Sequence, residues 1–481
     1  MPIAYSYREI DQVSGDDLLI ISDKSTSYKT KSVTVDELGQ YIKIFTPDPE
    51  GAITDTISVI GGNATRTKVV TIPDGATSVD YTFGNDGFTD INLPEGLITI
   101  DYDAFKQNLL TSVTIPSTVT TIGPSAFYNN SLLTTINIPS GVTSIGNSAF
   151  YFTDLTFADL IIPESCSVGA FAFDRVEVTT TLAILNNATL GSNSFQGGTF
   201  NNIVIGNNVS GDNPNSYVID GPFERATING NVTIGDNIDF NSMYWFDGAT
   251  GTATAVSFGP NFSNSNGAFF RAPFTSYTFN GNTVNTIPDG VTLGISMFEG
   301  SGIASLNVGD NVTIGIQAFE QCYNINSLTL GNNVTMVSNN FASQFRQIAK
   351  NVSGGIPVTI PGTTTLAIRS FDQANISSLT IESGVTEVPG YCFIASNTPG
   401  SITSISIPST VLTFGDFCFF QQELPGLTTL TLGSAGNPVT VGEAAFYNAV
   451  DLTTVNLPIG STYNTGPVNL SFPSGTTINF Y

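Results

Sequence analysis

One unit keeps returning in this chain, clearest as SVTIPSTVTTIGPSAFYNN followed by TINIPSGVTSIGNSAFYFT. Val113, Ile115, Pro116, Val119, Ile122, Ala126 and Phe127 are echoed by Ile136, Ile138, Pro139, Val142, Ile145, Ala149 and Phe150. The second apolar residue of each V-x-I element runs through 17 positions from Ile72 to Leu457, a mean period of about 24 residues. Self-similarity at a fixed period of this size predicts a solenoid, because one such unit cannot bury its own apolar face and only stacked neighbours close a core.

The unit can be read position by position. Alternation in V-x-I puts both apolar side chains on one face of a short strand, and the following proline or glycine ends it, since proline has no N–H for a further ladder bond. The later V-x-x-I and A-F positions must point inward too. Phe105, Phe127, Phe150, Phe173, Phe195, Phe319, Phe341, Phe371, Phe393, Phe419 and Phe446 recur in phase as the floor of the coil. The expectation is an all-β, right-handed solenoid of about 17 coils with one parallel strand per coil. It occupies residues 69–481, with an irregular aromatic-rich section at about 174–300 that includes Phe240, Met243, Tyr244, Trp245 and Phe246.

The pattern L-x-x-V-x-I-P-x-x-V-x-x-I-G-x-x-A-F, as in LLTSVTIPSTVTTIGPSAF, resembles the BspA-type leucine-rich repeat of bacterial, protist and some viral surface proteins. The match is strongest over 91–150 and 303–457. The resemblance implies a non-enzymatic surface or attachment protein. Where the commoner leucine-rich repeat has Asn after the strand, this chain has Thr118, Gly141 or Gly384, so no Asn ladder is expected there.

A formal charge of −25, with 14 basic residues, argues against nucleic acid as a partner, because phosphate binding needs clustered Lys and Arg. An anionic solenoid stays soluble and resists self-aggregation. No stretch approaches the apolar length of a membrane span, so no membrane insertion is expected, and the N-terminus MPIAYSYREIDQVSGDD has neither a basic nor an apolar segment of a secretion signal.

The first 45 residues break from the repeat. DDLLIIS and SYKTKSVTV read as strands and DELGQYI as a short helix with acids at its start, a β–β–α module. Leu18, Leu19, Ile21, Val33, Val35, Leu38 and Ile42, together with Asp17, Asp23 and Lys31, resemble a small module at the N-terminus of tailed-phage fibres and appendages. That resemblance implies an anchor to other virion proteins. The plainer reading is a cap over the first coil. Residues 46–68, with Pro47, Pro49, Gly51, Gly61 and Gly62, read as linker and irregular first coil.

Catalysis has little to stand on. The chain has no histidine, which removes Ser-His-Asp, Cys-His and His-containing zinc sites. The acid pairs Asp16 with Asp17 and Asp101 with Asp103 fit turns better than glycoside hydrolysis. Cys166, Cys322, Cys392 and Cys418 read as small buried hydrophobes. No cofactor and no metal are expected.

The central residue of each V-x-I element points away from the core. At fourteen of the 17 positions it is Thr, Ser or Asn, and at none is it charged. The exceptions, Ile161, Ala183 and Val204, are consecutive and should stack into an apolar strip. Either a one-residue register slip turns them inward, or the strip is a contact surface with another copy as partner, giving a homo-oligomer. The chain therefore reads as a virion appendage or tail-fibre protein presenting a rigid solenoid to host-surface carbohydrate or protein. The alternatives are a BspA-like cell-surface adhesin and a capsid decoration protein.

Overall fold

A short strand that ends at proline can complete its hydrogen bonds only against the equivalent strand of the next coil, and equivalent strands of stacked coils run parallel. The computed structural model builds this arrangement throughout: an all-β parallel solenoid of about 17 turns with almost no helix. It describes residues 18–23, 29–34, 42–48, 51–60 and 63–481, less the segments 213–219, 241–243, 254, 260–266, 280–283, 338–342, 396–401 and 467–469. The chain divides into two compact units, Met1–Thr156 and Phe157–Tyr481.

In the first unit, Leu18–Asp23 and Lys29–Thr34 form an antiparallel hairpin. Of residues 36–42, expected as helix, 36–41 lie outside the described residues, and Ile42 opens a strand instead. The stretch 46–68, expected as linker, also carries strand: Ile42–Asp48, Gly51–Ile60 and Asn63–Thr71 make an antiparallel meander. Its last strand turns into the solenoid, with Val69, Val70 and Thr71 pairing parallel to Asp90, Ile91 and Asn92. The meander thus covers the first edge of the parallel sheet, which would otherwise be left open to foreign strands.

Most described coils add to the V-x-I strand a second, shorter one of two or three residues. Val79, Ile100, Ile122 and Ile145 lie in register on the strands Ser78–Val79, Thr99–Ile100, Thr121–Ile122 and Ser144–Ile145, all four side chains buried. Glycine follows Ile122 and Ile145 because the coils touch here: a Cβ on Gly146 would sit 2.3 Å from the Pro124 nitrogen.

At the phenylalanine corner, alternate N–H groups serve different coils. Those of Asp103, Phe105 and Gln107 donate to Pro124, Ala126 and Tyr128 of the next coil at 3.0, 2.8 and 2.7 Å, whereas those of Ala126 and Tyr128 close turns within their own coil. Residues two before and two after the Phe adopt positive φ, as at Ser125 (55°) and Asn129 (56°). Such backbone costs on the order of 1–3 kcal/mol per residue unless its surroundings fix it, which these inter-coil bonds do. Buried amides three residues after the Phe seal the corner: Asn130 Nδ2 donates to Phe105 O at 2.9 Å and Phe127 O at 3.0 Å, and Asn108 repeats this one coil earlier. An amide ladder therefore exists on the Phe side of the coil, and the second unit adds another just after the strand, where Asn208 Nδ2 donates to Asn187 Oδ1 at 3.1 Å and Asn237 Nδ2 to Asn208 Oδ1 at 3.3 Å.

In the second unit the sheet Thr156–Ile162, Glu177–Ile184, Thr199–Ile205, Val232–Ile234, Ala255–Phe258 and Ser276–Phe279 runs through the irregular section. The aromatic column is unbroken there. Phe173, Phe195, Phe223, Phe246, Phe269, Phe298, Phe319, Phe345, Phe371, Phe393, Phe419, Phe446 and Phe472 stack with centroids 5.0 to 5.8 Å apart. Phe341, expected as a rung, lies outside the described residues, and Phe345 takes that place. The stretched coil near 280 carries two strands: Ser276–Phe279 pairs with the preceding coil and Thr286–Ile287 with the following one.

Candidate interaction surface

The outer face of this sheet inherits its chemistry from the middle residues of the strands. Leu160, Ile162, Leu182, Ile184, Ile203 and Ile205 are buried, so the residues between them turn outward. Ile161 is 52% and Val204 40% exposed, and Ala183, half-buried, stands in register with Val204. The register slip that would have buried the strip does not occur there. It falls earlier, as a bulge between Val178 and Thr181, and is absorbed before Leu182. Leu185, 42% exposed, lies two residues beyond Ala183 and widens the strip. Sequence reading missed it because it occupies the strand-ending place held by Pro163 one coil earlier.

Beyond Val204 the column turns polar, through Thr233, Ser257 and Thr278 in successive register. No charged residue occurs between Glu177 and Asp212. Elsewhere the hydroxyl and amide positions bond to one another: Asn92 Nδ2 donates to Thr71 Oγ1, and Asn456 Nδ2 to Thr431 Oγ1, each at 3.0 Å.

Charge gathers at the phenylalanine corner instead. All six basic residues of 157–481 lie within five positions of a stacked Phe, and acids follow the Phe at Asp174, Glu224, Asp247, Glu299, Glu320 and Asp372. Arg346 bridges Glu320 Oε1 at 2.8 Å and Asp372 Oδ2 at 3.7 Å, and Arg369 reaches Asp372 at 3.1 Å. Arg175 and Arg225 pair with Asp174 and Glu224. Burial raises the carboxyls of Asp174, Glu224, Asp247, Glu299 and Asp372 above their ordinary values, with neighbouring arginines pulling each of them back. Net charge carries no positions, so this ladder was invisible in composition. Among the described residues no group of three or more Cys, Asp or Glu side chains is placed to hold a metal ion, and no helix is long and apolar enough to cross a membrane.

Of the anchoring residues, Leu18 faces Thr34, Leu19 faces Val33 and Ile21 faces Lys31 across the hairpin. Val35 and Leu38 lie outside the described residues, as do Asp16 and Asp17. Asp103 is held in an ion pair with Lys106 at 3.0 Å.

Three solved structures share this chain's course at low identity. A leucine-rich repeat protein from Bacteroides ovatus is 16% identical with a TM-score of 0.42, over 92% of this chain and 99% of its own. A leucine-rich cell surface protein from Faecalibacterium prausnitzii is 15% identical with a TM-score of 0.28, over 91% and 94%. The pneumococcal vaccine antigen PcpA is 12% identical with a TM-score of 0.31, over 91% and 88%. No curated protein matches. The profile of the BspA type leucine rich repeat region matches residues 63–179, 273–354 and 356–465 in six copies. The interval it omits, 180–272, is where the strand-ending proline is lost while the Phe column continues. With more than half of its residues matched, on a parallel solenoid of the expected period, the chain belongs to the BspA-type leucine-rich repeat family.

Proposed function

We propose that this chain is a non-enzymatic virion structural protein, a tail fibre or related appendage, whose N-terminal segment joins other virion proteins while the solenoid is presented for host-surface attachment. The observation that supports it best is the sheet face. A strongly acidic chain keeps every central strand position uncharged and sets Ile161, Ala183 and Val204 outward on it, which makes a surface for contact and not a cleft for chemistry. The strip suits a second copy, because the stretch 178–211 that carries Ala183, Leu185 and Val204 holds no charged residue, so two anionic chains can meet over it. Replacing Ile161 and Val204 with Asp should lower the native mass measured by light scattering and leave the dichroism spectrum unchanged. An unchanged mass removes the strip as an interface.

Family membership favours a second reading, a BspA-like adhesin on the surface of a bacterium or protist; a capsid decoration protein without a receptor role is a third, which shares the particle with the first. Protein analysis of purified particles separates the second from the other two. The virion reading expects the chain on the particle and expects a chain lacking residues 1–45 to fold but not to be incorporated; normal incorporation rules out the anchor.

A further inference from the structure

Two tyrosines in the first coils of the Met1–Thr156 unit do nothing for its core. After the second strand of the coil the repeat places glycine and a compact residue, as in Gly123-Pro124, Gly146-Asn147 and Gly169-Ala170. The first two coils place Asp80-Tyr81 and Asp101-Tyr102 there instead. Tyr81 is 71% and Tyr102 55% exposed, and among the described residues no ring or cation lies against the ring of either. Inside, Phe83 and Phe105 already stack at 6.0 Å. The strands leading to the tyrosines are in register, Val79 facing Ile100, and Asp101 N–H donates to Val79 O at 2.7 Å, so the two Asp-Tyr steps lie one coil apart. Each carboxylate is engaged through one oxygen only. Asp80 Oδ1 accepts from Thr82 N–H at 3.1 Å and from the Thr82 hydroxyl, and Asp101 Oδ1 from Tyr102 N–H at 2.7 Å.

We propose that these two steps dock a basic, arginine-bearing segment of a partner protein. Exposed tyrosines with no packing role mark a contact surface, and charge selects the occupant. Residues 69–105 hold seven acids and no basic residue, which opposes an anionic ligand and equally a second copy of this chain, whose net charge is −25. Lys106, close enough for Tyr102 to act on its charge, is tied to Asp103 at 3.0 Å, and neither Asp80 nor Asp101 has a basic partner among the described residues. Arginine suits both halves of a step: its guanidinium lies flat on a tyrosine ring and forks N–H groups onto a carboxylate. A lysine ammonium brings a hydrated point charge, which gains little at an exposed ring, and a quaternary ammonium needs a cage of several rings. Two arginines separated by one residue in an extended segment share a face and stand roughly 6.6 Å apart, within side-chain reach of steps about 4.8 Å apart.

The surface shares no residue with the Ile161, Ala183 and Val204 strip, and its test reads neither oligomeric mass nor particle incorporation, so its failure leaves the function proposed above untouched. The full chain is passed over two resins of equal density, one bearing an Arg-Thr-Arg peptide and one a Lys-Thr-Lys peptide, and the salt concentration that elutes it is read. Elution from the arginine resin at the higher salt is expected. Tyr81→Ala with Tyr102→Ala leaves the net charge unchanged and should bring the arginine resin down to the lysine one, while Tyr81→Phe with Tyr102→Phe keeps the difference. Asp101→Asn should weaken retention on the arginine resin more than Asp154→Asn, which removes the same charge from an exposed acid outside the site. Melting temperatures check that the variants fold, and the two Asp substitutions decide if the alanine pair does not. Equal retention of the wild type on both resins, unchanged retention of a folded alanine pair, or equal effects of Asp101→Asn and Asp154→Asn overturns the proposal.

Discussion

Phe345 stacks on Phe371 with ring centroids 5.0 Å apart and planes 11° from parallel, the shortest rung of the column in the second unit. On its other face lies Phe319 at 5.4 Å, and all three rings are fully buried. Phe345→Ala removes the contact to both neighbours at once and should destabilise the second unit by about 3–5 kcal/mol. The midpoint of urea unfolding checks this, and a variant with wild-type stability would mean that the column is not continuous there.

Glycines between coils should divide by the space around them. A methyl group on Gly146 would meet backbone atoms of Gly123 and Pro124 at 2.3 to 2.7 Å, whereas one on Gly141 has nothing nearer than 3.7 Å. Gly146→Ala is expected to cost about 1–3 kcal/mol or more, and Gly141→Ala to stay within roughly 0.5 kcal/mol of wild type. Thermal melts of the two variants side by side decide it.

The buried acids give the second unit an unusual pH response. For Asp174, Glu224, Asp247, Glu299 and Asp372 the folded carboxyl holds its proton more tightly than the unfolded one, whose ordinary values are 3.8 for Asp and 4.5 for Glu. The folded state therefore binds more protons, and stability rises as pH falls from neutral through the raised values. The melting temperature should be higher at about pH 5 than at about pH 8, with a smaller difference in Glu224→Gln.

Thiol chemistry should be silent in the native state. All four cysteines are fully buried. Burial alone pushes the Cys166 thiol up to about 12, and it is the main cause that takes Cys322 to the same value. It raises Cys392 and Cys418 as well. Because only the thiolate reacts, iodoacetamide at about pH 8 should modify none of them until denaturant is added and all four afterwards, as mass spectrometry would show.

What could be read from the sequence was what the period repeats strictly. The V-x-I strands and most Phe rungs follow from composition at fixed spacing, and the outward turn of Ile161 and Val204 follows from strand alternation. Other features depend on which backbone groups meet. Phe341 stands 22 residues after Phe319 and Phe345 26, so a mean period of about 24 does not choose between them. Phe345 holds the rung because Phe319 N–H donates to Gln344 O and Phe345 N–H to Ser370 O, both at 2.9 Å. The second strands are only two or three residues long, too short for any pattern of their own. Leu185 and the arginine–carboxylate corner were missed for a different reason. One follows the strand where the repeat expects a terminator, and the other is a relation between coils that a net charge averages away.

The double strand near residue 280 separates two kinds of continuity. There the hydrogen-bonded sheet passes from Ser276–Phe279 to Thr286–Ile287, so the ladder ends and restarts within one coil, while Phe269, Phe298 and Phe319 stack straight across it. The corner hydrogen bonds cross it too, Phe269 N–H donating to Met297 O at 3.0 Å and Arg271 N–H to Glu299 O at 2.8 Å. Within the second unit it is therefore the phenylalanine corner, and not the V-x-I sheet, that carries the repeat past an irregular coil.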